Sequence, residues 1–198
     1  LAYVLYDRLP GELKKFEEYN SNISENLPAT SNQFYENMRY SDRKITYSIS
    51  DSCTEEKREE FIGATQILEE ETSLQFFEVE SGEIEITCSN IAPESGEEDH
   101  FILGEGGPSK IFDLTPYSVI IEGKIALYRE DKCERPIVAL HELLHALGFD
   151  HNSNRKSILY PLSNCDAELD AQIIETINEL YEQDSLPDLN IEKVSATK

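Results

Sequence analysis

The decisive stretch of this 198-residue chain is His141-Glu142-Leu143-Leu144-His145-Ala146-Leu147-Gly148-Phe149-Asp150-His151. It matches the pattern H-E-x-x-H-x-x-G-x-x-H in full, and three of the chain's four histidines lie in it. His141 and His145 are one helical turn apart, so on a helix both imidazoles point to one side and can share a metal ion. Gly148 can adopt a positive φ and turn the chain back, which brings His151 towards the same metal.

This ligand set favours one catalytic zinc ion. Three neutral imidazole nitrogens with one open position are typical of catalytic zinc, and zinc lowers the pKa of its bound water to about 7. Glu142 stands beside both helical ligands, so it can take the proton of that water and later return it to a leaving amine. The alternative for histidines in an apolar helix is a hydrogen-bonded core role, which the complete pattern disfavours.

Outward from this segment, the hydrophobic periodicity predicts a mixed chain of helices and strands, which is an α+β or mixed α/β domain. Pro136 opens the histidine-bearing helix, which is apolar nearly all round, and Gly148 ends it. An earlier helix follows a cap at Ser52 or Thr54. Alternation or continuous apolar character predicts strands over 45–49, 74–79, 84–88 and 119–128, the last interrupted near Gly123.

Two further segments are less regular in sequence. Residues 101–114 contain three glycines and a proline, which indicates a loop or an irregular edge strand. Ser163 and Asp166 form a capping box for a last helix, whose apolar positions face the core. Those positions are Leu169, Ile173, Ile177 and Leu180.

The chain divides into three parts. Residues 1–43 are polar and broken by prolines, which predicts a loop-rich N-terminal strap or pro-like segment. Residues 44–185 form the catalytic domain, and residues 186–198 read as a C-terminal tail.

Four cysteines allow three disulfide pairings, and we favour the two local pairs, Cys53 with Cys88 and Cys133 with Cys165. Four free thiols are the alternative, while a zinc cluster of all four is disfavoured because none are closely spaced. With the glycosylation pattern at residues 22–24, the pairing predicts an extracellular or cell-surface protein.

Charge excludes several classes of partner. Lysine and arginine number 17 against 40 acidic residues, which gives a net charge of −23. Nucleic acids and anionic lipid surfaces would be repelled. No apolar run reaches the roughly 18–20 residues that span a bilayer.

Over residues 44–182 the chain resembles the metzincin zinc endopeptidases, and among them the matrixin-like branch, the peptidase family M10 type. Besides the histidine motif, the matching segments are Lys44–Ile49, Gly82–Ile86, Gly104–Pro108, Ile125–Tyr128 and Ser157–Pro161. The resemblance implies a twisted, mostly parallel five-stranded sheet with two large helices, the active-site helix among them, and a small C-terminal subdomain with a last helix. It also implies that substrate lies extended along the edge strand.

The chain departs from the family pattern at Leu159, where the family has the methionine of a turn beneath the metal. Leucine supplies apolar packing of similar volume, so we expect activity to survive. By resemblance, Tyr160 and Pro161 line the pocket beside the scissile bond. Residues 1–43 lack the family's cysteine-bearing propeptide motif, so latency would need another device, such as an acidic side chain like Asp7 over the zinc.

A second cation is a weaker expectation. His100 follows Glu97, Glu98 and Asp99, and oxygen-rich ligands would favour calcium, although a plain solvated loop is the simpler interpretation.

These observations predict a zinc endopeptidase that cleaves peptide bonds of extended protein or peptide substrates through a zinc-bound water, with Glu142 as general base. The alternative is a catalytically weak or inactive metal-holding pseudoprotease that binds peptides. Leu159 favours this alternative, and the intact Glu142 argues against it. A peptidase of DNA-bound proteins is disfavoured by the negative charge.

Overall fold

The computed structural model describes residues 33–93, 102–129, 133–182 and 186. Within them the chain is a mixture of strands and helices, as the periodicity predicts. In chain order these are β1 (Met38–Tyr40), β2 (Lys44–Ile49), α1 (Glu55–Glu71), β3 (Gln75–Glu78), β4 (Ile84–Cys88), β5 (Gly104–Leu114), β6 (Tyr117–Leu127), α2 (Ile137–Ala146) and α3 (Ala171–Leu180).

The strands form a single sheet in the order β1-β6-β4-β2-β3, with β5 on the other edge of β6. Every pairing is parallel except the antiparallel pair β5–β6. The predicted mostly parallel sheet is therefore confirmed, but it has six strands rather than five. The additional strand is β1, whose three residues are all buried although Arg39 interrupts any apolar pattern.

One face of the sheet carries the core. Tyr47, Ile84 and Gly123 are register neighbours across β2, β4 and β6. The side chains of Tyr47 and Ile84 therefore point to the same face of the sheet, where Gly123 carries only a hydrogen atom. On this face Phe61 of α1 packs edge-on against Tyr47, with ring centroids 5.2 Å apart. Helix α2 contacts α1, β5 and β6. The buried helix α2 thus packs against both the sheet and α1.

The starts of α1 and α3 test the helix caps that were predicted from the sequence. Thr54 is the N-cap of α1, because its hydroxyl accepts the amide of Lys57, while the Ser52 hydroxyl accepts the amide of Cys88. The predicted capping box of Ser163 and Asp166 is wrong, since α3 begins at Ala171 after Asp170. Residues 163–166 instead form a turn around Asn164, whose side chain accepts the amide of Asp166.

The glycine-rich segment is a strand. Residues 104–114 pair with β6 along their whole length, with register shifts between Pro108 and Ile111, so the irregular edge strand is the correct alternative. The predicted interruption of β6 at Gly123 is wrong, because the strand passes through it. Glycine is needed there for space, since a Cβ would lie 2.4 Å from the Tyr40 hydroxyl.

Both predicted disulfides are present, Cys53–Cys88 and Cys133–Cys165. The first ties the approach to α1 to the end of β4, and the second ties the approach to α2 to the turn region before α3. Among the described residues, no helix is long and apolar enough to cross a bilayer. Asp7, the glycosylation pattern and the acidic segment 97–100 lie outside the described residues.

Candidate metal centre

Helix α2 places the first two histidines. All ten of its residues are buried, and His141 and His145 lie one turn apart on it. The helix ends at Ala146, and Gly148 follows with φ +96°, a left-handed conformation that glycine adopts without strain. The chain turns back there, and His151 reaches the same place.

The three imidazoles converge on one point. Their Nε2 atoms are 2.9 Å apart for His141 and His145, and 3.1 Å apart for each of the pairs with His151. All three side chains are buried. They form the one group of three or more potential ligands found among the described residues.

Backbone carbonyls fix two of the rings. Nδ1 of His141 lies 2.6 Å from the Ile158 carbonyl, and Nδ1 of His145 lies 2.7 Å from that of Phe149. A carbonyl only accepts, so each Nδ1 carries the proton and each neutral ring presents a bare lone pair at Nε2. Outer partners of this kind orient metal-binding histidines.

Burial keeps these rings neutral, as metal ligands must be. It lowers the pKa of His145 to about 4 and the pKa values of His141 and His151 well below the usual range. Converging lone pairs repel unless a cation lies between them. The triangle is small enough for one zinc ion, which binds nitrogen at about 2.0–2.1 Å, to reach all three. The residues present therefore fit a zinc ion.

Glu142 contributes a buried carboxyl beside these ligands. Its side chain is wholly buried, and neither oxygen has a hydrogen-bond partner among the described residues. Burial, and secondarily the charge of Glu105, raises its pKa well above the usual range. An unpartnered buried carboxyl is costly, which indicates a group kept for a ligand or a reaction.

Two glycines of β5 allow the strand to pass directly over this residue. A Cβ on Gly104 would lie 2.8 Å from Cγ of Glu142, and a Cβ on Gly106 would lie 2.3 Å from its carbonyl oxygen. Any larger residue would push β5 away from α2. The glycine-rich composition that resembled a loop is therefore what brings the edge strand to the site.

A polar cluster holds the turn beneath the histidines. The Ser157 hydroxyl donates to the Asp170 carboxylate and accepts from the Asn152 side-chain amide at 2.8 Å and the Leu159 amide at 3.0 Å. Leu159 is fully buried, and its carbonyl accepts the amide of Asn152 at 3.1 Å. The sequence indicated Ser157 only as the first residue of the turn segment 157–161, and it gave no signal for Asn152 or Asp170 as its partners.

The structure brings together His141, His145 and His151, and it buries Glu142, which follows His141 on the same helix. Tyr160 and Pro161 follow Leu159 in the turn, with the Tyr160 amide bonded to the Ser157 carbonyl at 3.1 Å.

Phe34 was also missed, although its ring centroid lies 6.0 Å from that of His145. No local signal could have found it, because more than one hundred residues separate the two in the chain.

A comparison with protein families agrees with this geometry. The family model described as Matrixin, Peptidase_M10, matches residues 39–182. The match covers most of the chain and includes β2 to β6, two of the three residues of β1, the three histidines and the turn at Leu159.

Proposed function

This chain belongs to the matrixin family of peptidases, and on that premise we propose that it is a zinc-dependent endopeptidase acting on extended proteins or peptides. One observation carries the proposal: three imidazole Nε2 atoms converge to within 3.1 Å of one another, and the helix that holds two of them also carries the buried carboxyl of Glu142, which has no hydrogen-bond partner among the described residues. Nothing in a purely structural core requires that combination.

His141, His145 and His151 would hold one zinc ion. When bound, zinc supplies the Lewis acidity that activates water and stabilises negative charge on a carbonyl oxygen. The contribution of the protein is a rigid tripod, because the Ile158 and Phe149 carbonyls set the ring orientations before any metal arrives.

Glu142 would move the proton. Its carboxylate accepts the proton of the attacking water and returns it to the departing amine, so one side chain serves as base and then as acid. Neither oxygen has a hydrogen-bond partner among the described residues. This keeps the carboxylate available for the reacting water.

Substrate would add to the outer edge of β5 as an extended strand. Among the described strands β5 pairs with β6 alone, so no described strand occupies the edge at which a peptide backbone would pair. Gly104 and Gly106 bring this edge against Glu142, so a peptide paired there would lie near the carboxyl. Tyr160 and Pro161 would form a wall of the pocket for the residue after the cleaved bond.

The setting of the enzyme is part of the proposal. Two disulfides favour an oxidising, extracellular location. We assign residues 44–185 to the catalytic domain, with residues 1–43 as a strap or pro-like segment and 186–198 as a tail. The net charge of −23 disfavours nucleic acids as partners.

The test is cleavage of a diverse peptide library by the zinc-loaded protein, read by mass spectrometry. We expect Glu142→Ala to lower the cleavage rate by about 10²–10⁴-fold, since it removes the general base but no ligand. Zinc content should stay at one ion per chain. Glu175→Ala, at an exposed position on α3, is the matched control and should cleave like the wild type.

Two results would contradict the proposal. If the wild type holds one zinc ion and cuts no peptide, the peptide-binding alternative replaces it. If Glu142→Ala cuts as fast as the wild type, the assigned base is wrong.

A further inference from the structure

The backbone at Gly148 and Phe149 controls the positions of two histidines. The Phe149 carbonyl accepts the Nδ1 proton of His145 at 2.7 Å. The reversal at Gly148, with φ +96°, carries the chain to His151. A shift of this turn would therefore rotate one ligand and displace another.

Residues 33–38, which lie within the proposed N-terminal strap of residues 1–43, hold this turn. The Phe34 amide donates to the Gly148 carbonyl at 2.9 Å, and Gln33 forms an antiparallel bridge with Phe149. Met38 lies against the glycine itself, since a Cβ on Gly148 would be 2.5 Å from the Met38 sulfur. Both residues of the turn are thus paired or packed against the strap.

Gln33 also forms two hydrogen bonds with Met38 within this segment. Its side-chain amide donates to the Met38 carbonyl at 2.5 Å, and its side-chain oxygen accepts the Met38 amide at 3.0 Å. The glutamine therefore closes a loop within the strap and fixes Met38 where it meets Gly148. Neither bond involves a metal-binding histidine, but both hold Met38, which lies against Gly148 in the turn.

Phe34 adds a direct contact with a ligand. Its ring centroid lies 6.0 Å from the His145 ring, with the two planes tilted by 30°. Packing on this side limits rotation of the imidazole about its side-chain bonds. The carbonyl of Phe149 and the ring of Phe34 thus restrain His145 at two points.

We propose that Gln33 and Phe34 are positioning residues of the metal centre, which raise its affinity for zinc by fixing the Gly148–Phe149 turn and the ring of His145. The inference rests on the proposed zinc site. It gives a part of the strap a role in metal binding rather than in latency.

The experiment measures zinc affinity by competition with a chromophoric chelator, using the full chain. We expect Gln33→Ala and Phe34→Ala to bind zinc about 10–100-fold more weakly, the range for loss of outer partners of ligands. Tyr35→Ala is the matched control, because Tyr35 is the neighbouring aromatic residue and is 38% exposed. Its zinc affinity should stay within about twofold of the wild type.

A second readout separates positioning from general stability. Cobalt substituted for zinc reports ligand geometry through its visible absorption, and we expect this spectrum to change in Phe34→Ala and not in Tyr35→Ala. Variants that melt at lower temperature but keep the affinity and the spectrum of the wild type would overturn the inference.

Folding failure of Phe34→Ala would leave the milder Gln33→Ala to decide. A wild type that binds no zinc would overturn the proposed function together with this inference, whereas unchanged variants beside a zinc-binding wild type would overturn this inference alone.

Discussion

At Leu159 the backbone, rather than the side chain, forms the hydrogen bonds that hold the turn. Its amide donates to the Ser157 hydroxyl at 3.0 Å and its carbonyl accepts the Asn152 amide at 3.1 Å. Any residue other than proline could form those bonds. The leucine side chain is fully buried and belongs to the hydrophobic core.

We therefore expect Leu159→Met to fold and to bind one zinc ion. Leucine and methionine have similar volumes, so the free energy of unfolding should change by less than about 1.5 kcal/mol. Peptide cleavage should change only modestly. Zinc content, urea denaturation and cleavage rate check this prediction, and an unfolded variant would mean that the turn is wrongly assigned.

Gly148 should tolerate no side chain. An alanine there combines a strained φ of +96° with a Cβ 2.5 Å from the Met38 sulfur. We expect Gly148→Ala to lower the free energy of unfolding by about 1–3 kcal/mol, measured in urea.

Gly63→Ala is the matched control for this substitution. Gly63 lies within α1, and its Cβ would make only an ordinary contact of 3.4 Å with Pro136. It should gain about 0.5–1 kcal/mol through helix propensity. An equal loss in both variants would contradict the strain argument.

The histidines could be predicted from sequence because their spacing is local, one helical turn followed by a glycine reversal. Gln33 and Phe34 could not, because their contacts with Phe149 and His145 join distant parts of the chain. Residue chemistry predicts the ligands of the site, whereas only the fold reveals what positions them.

At the scale of elements, a buried lysine joins α1 to two strands. The Lys57 side chain is 3% exposed, and its ammonium donates to the carbonyls of Ser89, Leu127 and Tyr128 and to the side-chain oxygen of Asn90. These oxygens lie just after β4 and at the end of β6. The ammonium thus gathers the two strand ends against the helix.

Lys57→Met should uncouple these elements. The variant keeps an apolar stem but leaves the buried carbonyls without their donor, so we expect a loss of about 1–3 kcal/mol in the free energy of unfolding. The control is Lys124→Met on β6, where an exposed lysine lies 3.5 Å from Glu85 and contributes at most about 1 kcal/mol. Equal effects in urea would contradict the role of Lys57.

Helices and strands with one apolar face could be predicted from the sequence. Elements whose polar residues find hydrogen-bond partners in distant parts of the chain could not. Arg39 reads as a loop residue, yet it is fully buried in β1. Its guanidinium donates to the carbonyls of Tyr40 and Leu180 and lies 4.2 Å from the centre of the Tyr181 ring. Partners at the end of α3 make the arginine a core residue, and no local pattern contains them.

At the scale of the whole molecule, the buried histidines link the stability of the metal-free protein to pH. The pKa of His145 is about 4 in the folded protein and about 6.5 in an unfolded chain, so the unfolded chain takes up protons first. The stability that the neutral His145 ring contributes to the folded protein is present above about pH 6.5 and is lost as the pH falls to about 4. For His145 alone it amounts to about 3 kcal/mol.

We therefore expect protein stripped of metal by a chelator to lose stability between pH 6.5 and 4, measured as the urea midpoint at several pH values. Glu142 has the opposite effect on the pH dependence of stability. Its pKa is raised in the folded protein, so on acidification the folded protein takes up this proton before the unfolded chain does. Glu142→Gln should steepen the loss on acidification. A midpoint independent of pH in both proteins would contradict the neutral, buried state of the histidines.

The central strand has a consequence for the order in which the protein is made. β6 pairs with β1, β4 and β5, and Met38 of β1 lies eighty residues before its partner Ser118 in the sequence. Until β6 leaves the ribosome, β1 has no strand to pair with, and the nascent chain exposes an unfinished sheet. The histidine segment is synthesised later still. The three histidines are therefore all present only after every strand of the sheet has been synthesised.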